Sequence, residues 1–323
     1  MRSLTIPSRG ARNRPLLRLV AALLCLGLAL PAAAADPAGL GAMPWWGWPM
    51  ALFVVCFLLG IVAVPAGVGG GVLFVPIVAG FFPFHLDFVR GAGLLVALAS
   101  SLAAGPALLR GGLANLRLAL PLALIGSVSS TVGAMMGLAL PAATVQTALG
   151  LTILGIVAVM ATAKKSEFPT VTASDRWAQL LGMRGAFVDG ASGREVNWQV
   201  HRTPLGFGMF LVIGFLAGMF GMGAGWANVP ALNLVMGAPL KIAAGSSSFI
   251  LSLVDSSAAW IYFNKGAVLP IIAVPSVVGM MLGARIGARL LTVLKASIVR
   301  RLVIGLLLFA GLRALLKGLG LWA

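Results

Sequence analysis

The sequence PAGVGGGVLFVP occupies positions 65–76, and a related sequence, GMFGMGAGWANVP, occupies positions 218–230. Glycines and a closing Val-Pro recur between them at a constant offset of 154 positions, as in Gly67 and Gly221, Gly69 and Gly223, Gly71 and Gly225, Val75 and Val229, Pro76 and Pro230. The same offset relates Gly112 to Gly266 and Gly133 to Gly287. A repeat kept in one register over this distance predicts two related halves.

Each glycine-rich stretch lies inside a long apolar segment, at 49–82 and 205–236, which the glycines interrupt midway. Three shorter apolar segments follow in each half, at 89–109, 116–138 and 142–161, then at 242–263, 267–290 and 298–316. Segments of about 20 apolar residues are long enough to cross a bilayer as helices. The pattern predicts an all-α polytopic membrane protein whose halves each open with a broken helical hairpin.

The composition supports a membrane environment. Hydrophobic residues make up 60% of the chain and charged residues 9%, and the mean hydropathy is +1.06. The net charge of +16 resides mostly in short connections between apolar segments, without interleaved aromatic residues. The basic residues are therefore interpreted as topology signals, with the lipid bilayer and not a nucleic acid as partner. The composition is also compatible with a homo-oligomer.

The N-terminal residues 1–35 have the pattern of a secretory signal peptide. Five arginines precede a short apolar run at 19–30, and four alanines ending at Ala35 follow it. Cleavage after Ala35 would leave the mature N-terminus outside the cytoplasm. The alternative is an uncleaved first span, but the run is shorter than the roughly 20 residues that a span requires.

The distribution of basic residues favours one way of threading the long opening segments. If each crosses the membrane once, eleven basic residues lie on one side and seven on the other. If each returns as a re-entrant hairpin, fourteen basic residues lie on one side of the membrane and four on the other. Those four are Arg90, Lys265, Arg313 and Lys317. The positive-inside rule prefers the hairpin. Each half then has a hairpin and three crossings, which predicts two inverted repeats at 45–163 and 204–318. This topology places both termini in the periplasm.

The polar stretch 164–203 separates the halves and falls on the cytoplasmic side of this topology. Phe187 and Val188, a turn at 189–193, and the segment 195–200 resemble two short strands. A small hairpin insert is predicted there.

The segments 65–76, 218–230 and 239–249, the last reading PLKIAAGSSSF, resemble the sulfite exporter TauE/SafE family. The likeness covers nearly everything from about Phe53 onward. It implies an inner-membrane permease for small sulfur-containing anions such as sulfite and organosulfonates. Where this family often carries Thr-Ser-Asn-Phe, the chain has Ser-Ser-Ser-Phe at 246–249, and the first half has no such polar run.

The interrupted helices supply the candidate binding site. A break inside a membrane helix frees backbone N–H and C=O groups, which hydrocarbon cannot satisfy, so breaks lie against protein or a wet cavity. Two half-helix N-termini that meet would offer N–H donors and partial positive charge to an anion. This predicts substrate binding at Gly69, Gly70 and Gly71 with Gly223, Ala224 and Gly225. The alternative is that these glycines only permit tight helix packing.

Polar side chains near the second break extend the candidate site. Asn228 has Phe74 as its first-half equivalent, so a substrate contact from one half is predicted, with an interhelical hydrogen bond as the alternative. Ser246, Ser247 and Ser248 would line the same cavity, unless their hydroxyls bond to their own helix.

Asp255 lies well inside a predicted span, where a carboxylate is costly. It is the proton-coupling candidate; the alternative is a purely structural role. Arg90 and Lys241 lie near the starts of equivalent spans in the two halves. We interpret them as interface anchors; the alternative is that they attract anions to the two mouths of a pathway.

Few groups in the sequence suit other classes of function. No nucleotide-binding signature is present, and two isolated histidines supply no metal or catalytic constellation. No catalytic residue, metal or cofactor is therefore expected. An intramembrane enzyme, a membrane scaffold and a passive anion channel remain alternatives to a secondary transporter.

Overall fold

The structure, a computed structural model, describes residues 44–66, 69–110, 112–162, 169, 171, 173–188, 195–290 and 296–321. The predicted signal peptide at 1–35 lies outside these residues. Helices of the first half are α1 (Gly47–Ala66), α2 (Gly70–Phe81), α3 (Leu86–Arg110), α4 (Leu116–Ala139) and α5 (Ala142–Thr162).

The second half repeats this order after a small insert. The insert comprises α6 (Arg176–Leu180), β1 (Arg184–Val188) and β2 (Glu195–Gln199). The helices that follow are α7 (Thr203–Phe220), α8 (Gly225–Pro230) with a π-helical continuation (Ala231–Val235), α9 (Leu240–Asn264), α10 (Pro270–Leu290) and α11 (Ala296–Gly318). The starts of α3, α4 and α5 each lie 154 positions before those of α9, α10 and α11, as the repeat predicts.

Six described helices are long and apolar enough to cross a membrane, namely α3, α4, α5, α7, α9 and α10, each over all or most of its length. The prediction of a mainly α-helical polytopic membrane protein is confirmed. Most helix ends lie within three residues of the predicted segments, because charged residues, glycines and prolines bound the apolar runs on both sides.

In each half, the end of the opening segment lies beside the start of the same segment. In the first half, the rings of Trp48 and Phe82 meet at 5.8 Å, although they are 34 positions apart. In the second half, the backbone N–H of His201 donates to the carbonyl of Met236 at 3.0 Å, and the Met236 side chain packs against Gly206. Each segment is therefore a helical hairpin with its break at the far end.

Each hairpin packs mainly on the other half of the chain. Gly133 on α4 lies against the carbonyl of Phe215 on α7, and Gly287 on α10 lies against the carbonyl of Ile61 on α1. A Cβ atom added at Gly287 would lie 2.7 Å from that carbonyl oxygen. Residues 133 and 287, like 61 and 215, are repeat equivalents, so the two contacts are reciprocal. Small residues allow this close helix approach.

Equivalent helices of the two halves run in opposite directions where they touch. Along α5 and α11, Thr147 meets Gly318, Gly150 meets Leu315 and Ile153 meets Gly311, so the two numberings ascend in opposite senses. This is the order of contacts that an inverted repeat requires. How the halves relate to the two membrane faces stays a prediction.

The insert packs against the membrane helices. β1 and β2 pair antiparallel, with Gly185 opposite Trp198, and Phe187 and Trp198 are buried in one cluster with Leu118 and Phe210. The predicted hairpin is present, but β1 begins at Arg184, three residues earlier than expected, and the short helix α6 was not predicted. Apolar side chains facing α4 and α7 fix this hairpin in place.

Candidate functional site

The second break follows a defined path from the end of α7. Gly221, with φ +67°, closes α7 and lies against the backbone of Arg90. Two residues later Gly223, with φ +73°, lies against Ala97 and Asp255. Both backbone conformations are left-handed and favour glycine. The chain thus follows α3 for about two turns before α8 begins.

The first break meets the second at this point. A Cβ atom added at Gly225 would lie 3.2 Å from the backbone nitrogen of Gly69 and 3.4 Å from its Cα atom. Ala97 and Asp255 lie towards the middle of α3 and α9. The half-helices α2 and α8 therefore begin side by side, midway along the two helices that flank them.

This arrangement directs backbone donors and partial positive charge to one place. The first N–H groups of a helix have no acceptor inside the helix, and the N-terminus carries about half a positive charge. α2 begins at Gly70, and α8 with its π-helical continuation begins at Gly225. Two such starts in contact can stabilise an anion without a lysine or arginine at the site.

Buried polar side chains without partners surround the junction. Asn228 and Asp255 have no exposed surface, and neither the amide atoms of Asn228 nor the carboxylate oxygens of Asp255 have a hydrogen-bond partner in the described structure. The indole Nε1 of Trp226 is also buried and unpaired. Burying such groups unpaired costs about 1–3 kcal/mol each, more if charged, so their clustering is typical of a ligand or ion site.

The predicted glycines differ in their surroundings. A Cβ atom at Gly71 would lie 2.5 Å from the carbonyl oxygen of Met222 and 2.9 Å from the Cβ atom of Ala97, so close packing explains this glycine. At Gly70 the three nearest heavy atoms would all belong to the flexible side chain of Met280. At Gly69 the nearest heavy atom would be the Cα of Gly225, at 3.9 Å, so packing does not require glycine there.

The three serines are not brought together at the junction. Ser246 is buried and its hydroxyl accepts the backbone N–H of Asn115 at 3.1 Å, in the connection before α4. Ser247 is buried, whereas Ser248 is half-buried and its hydroxyl donates to the carbonyl of Ala244. Ser246 lies nine residues before Asp255 on the same helix, about 13 Å away along its axis. A role for these serines in binding stays a prediction.

Arg90 is a structural element that the sequence interpretation missed. It is 1% exposed, forms an ion pair with Asp87, and donates from Nη1 to the carbonyls of Gly137 and Met219, both at 3.0 Å. Its guanidinium also lies 5.8 Å from the ring centre of Tyr262. Arg90 is therefore not an interface anchor: it holds the carbonyl end of α7, from which the second break starts. The sequence did contain one indication of this role: Asp87 lies one helical turn before Arg90, at the spacing at which oppositely charged side chains pair on a helix.

The π-helical continuation of α8 was also missed. Pro230 has no N–H to donate, and the chain widens into a π-helix immediately after it. The equivalent Pro76 lies inside a regular α-helix, so the sequence motif alone did not distinguish the two halves. π-Helical segments are often found at functional sites.

Two helical hairpins whose breaks meet inside a bundle of apolar helices are typical of polytopic membrane transporters. Residues 52–314 match the model of the family described as "Sulfite exporter TauE/SafE", and the chain belongs to this family.

Two curated relatives carry similar descriptions. The chain is 26% identical over 257 residues to "Probable membrane transporter protein ORF9" of Sinorhizobium sp, a match covering 78% of this chain and 87% of that protein. It is 33% identical over 88 residues to "Probable membrane transporter protein YunE" of Bacillus subtilis (strain 168). That second match covers 27% of this chain and 32% of YunE. No solved structure matches the chain.

Proposed function

We propose that this protein is a secondary transporter of a small sulfur-containing anion, such as sulfite or an organosulfonate, and not an enzyme. The observation that carries the proposal is the contact between Gly69 and Gly225, which places the starts of α2 and α8 at one buried point. An oxyanion bound there would accept hydrogen bonds from backbone N–H groups and lie at the positive ends of both half-helices. Membership of the family supports the substrate class.

Asn228 gives the site a side-chain donor from one half only. Its equivalent Phe74 is fully buried and apolar. Asn228 lies in the first turn of α8, and its amide N–H groups have no partner in the described structure. We assign it to orienting one end of the substrate, which makes the site asymmetric despite the repeat.

Asp255 provides a means of coupling transport to protons. Its carboxylate lies next to Gly223 in the break and has no partner in the described structure. A charged carboxylate would repel an oxyanion in the same cavity, whereas a protonated one can donate a hydrogen bond to it. Proton uptake at Asp255 would thus accompany anion binding. Release of both on the other side would couple the two fluxes.

The predicted topology completes the proposal. We infer an inner-membrane protein with both termini periplasmic and the insert cytoplasmic. Alternation between faces would then move the α2 and α8 hairpins relative to the helices that flank them.

Flux measurements in proteoliposomes test the function directly. The purified full chain is reconstituted and assayed with sulfite, thiosulfate, alkylsulfonates and sulfate, with and without an imposed pH gradient. We expect saturable transport of at least one sulfur-containing anion, stimulated by the gradient. Flux proportional to concentration, without saturation, would indicate a passive channel. Absence of flux for every anion would contradict the proposal.

A further inference from the structure

A cleft lined by two arginines lies outside the junction, between the insert and the start of α4. An open cleft of about 850 Å³ is found there. Its lining includes Arg117 from α4 and Arg184 from β1, together with Asn197, Trp198 and Gln199 from β2. Among the lining residues that the structure describes, none is acidic.

Both arginines of the cleft are linked to the turn at Gly182. The Arg117 side chain lies across Gly182: a Cβ atom added at that glycine would be 3.5 Å from both Cδ and Nη1 of Arg117. The carbonyl of Gly182 accepts the backbone N–H of Arg184 at 2.9 Å. The turn at Gly182 therefore precedes Arg184 in the chain and packs against the Arg117 side chain.

No carboxylate of the described part of the chain lines this cleft. Arg117 and Arg184 form no ion pair in the described part of the chain. The nearby carboxylate of Asp175 is occupied, because it accepts the N–H of Ala178 and both the N–H and the hydroxyl of Thr203. Glu195 pairs with Val188 at the far end of the small sheet.

The position of Arg117 in its helix adds to the excess of positive charge at the cleft. It is the second residue of α4, whose first turn contains no acidic residue. A cation there is disfavoured by the partial positive charge of the helix start. An anion in the cleft would neutralise both arginines and remove this repulsion.

We propose that the cleft binds a phosphate-bearing anion, held by the guanidinium groups of Arg117 and Arg184. Paired guanidinium groups match the geometry of phosphate oxygens and form charge-assisted hydrogen bonds with them. The exposed amide of Asn197 is a further donor within the cleft. The phosphate belongs either to the headgroup of an anionic lipid or to a soluble compound.

The cleft is connected to the helix that carries Asp255. Trp198 and Asn115 both lie against Gly185: a Cβ atom there would be 3.2 Å from the indole ring and 3.4 Å from the Asn115 amide nitrogen. Asn115 caps α4 through Leu118 and donates its backbone N–H to Ser246 on α9. These contacts join the cleft to α9 through Asn115. Phosphate binding in the cleft does not depend on the proposed function.

Binding to the purified full chain tests the site without any transport assay. Inorganic phosphate is titrated by calorimetry into the protein in phosphatidylcholine nanodiscs, and retention of phosphatidylglycerol is measured by native mass spectrometry. The double variant Arg117→Gln/Arg184→Gln is compared with Arg176→Gln, which removes an exposed arginine of α6 that does not line the cleft. Melting temperatures establish that each variant is folded.

The expected result is a loss of affinity of about tenfold or more in the double variant and unchanged binding in Arg176→Gln. Binding of phosphate alone identifies a soluble ligand, and retention of phosphatidylglycerol alone identifies a lipid headgroup; both outcomes support the site. Wild-type protein that binds neither probe, or a folded double variant that binds both as wild type does, would overturn the proposal.

Discussion

Replacing Gly69 by alanine separates a binding role of the junction from a packing role. The backbone of Gly69, at φ −61° and ψ 144°, suits alanine, and the added methyl group would have no heavy atom closer than 3.9 Å. We therefore expect a folded protein with stability within about 1 kcal/mol of wild type. The methyl group would, however, occupy the gap between the starts of α2 and α8.

The expected effect of Gly69→Ala on transport is large. A hydrogen bond to a charged group contributes about 1.5–3 kcal/mol, so displacing the anion from one such donor weakens binding roughly 10- to 150-fold. The assay is the KM for sulfite or an alkylsulfonate in proteoliposomes, with the melting temperature measured on the same preparations.

Gly71→Ala is the matched comparison, because its methyl group would lie 2.5 Å from the carbonyl oxygen of Met222. Overpacking of this kind costs about 1–3 kcal/mol, so Gly71→Ala should lower the melting temperature. A folded Gly69→Ala protein with wild-type KM would refute the assignment of the junction as the anion site.

Three further substitutions, two of them with a control substitution, test proton coupling and helix packing. Asp255→Asn should abolish the stimulation of flux by an imposed pH gradient, and a stimulation equal to wild type would exclude Asp255 from coupling. Arg90→Gln should destabilise the protein by about 3–5 kcal/mol, measured by thermal unfolding, because Asp87 and two buried carbonyls lose their partner. The exposed Arg176→Gln should cost less than about 0.5 kcal/mol, and equal effects would contradict the role of Arg90. Gly133→Ala should separate α4 from α7 and lower stability by about 1–3 kcal/mol. In contrast, Gly155→Ala, with nothing within 4 Å, should be neutral or stabilising.

The architecture was predictable because its signals are strong and local. Most of the apolar segments are long enough to cross a bilayer, and the offset of 154 positions aligns α3 with α9 and α4 with α10. The glycine clusters located both breaks within a few residues. Each of these features depends on composition and spacing, which a single sequence records directly.

The details of the site depend on contacts between distant segments. The sequence grouped Ser246 with the breaks, yet the helical rise places it about 13 Å from Asp255, where it bonds with Asn115. Arg90 resembled an interface anchor because its acceptors, Gly137 and Met219, lie 47 and 129 positions away. No local pattern specifies partners at such separations.

The insert shows the same limit. Strand propensity revealed β1 and β2, but the burial of Phe187 and Trp198 against Leu118 and Phe210 required the fold. The cleft between Arg117 and Arg184 likewise forms only when residues 67 positions apart come together.

Disulfide trapping between the two breaks tests whether they meet and whether an anion binds between them. Gly69→Cys and Gly225→Cys are combined in a chain whose Cys25 and Cys56 are replaced by alanine, with Gly69→Cys paired with Gly155→Cys as the control. Oxidation in native membranes should crosslink the first pair rapidly and the control pair not at all, since a disulfide requires Cα atoms about 4.4–6.8 Å apart. A saturating alkylsulfonate should slow the crosslink by occupying the gap. Absence of the crosslink, or a rate that the anion leaves unchanged, would contradict an anion site formed where the two broken hairpins meet.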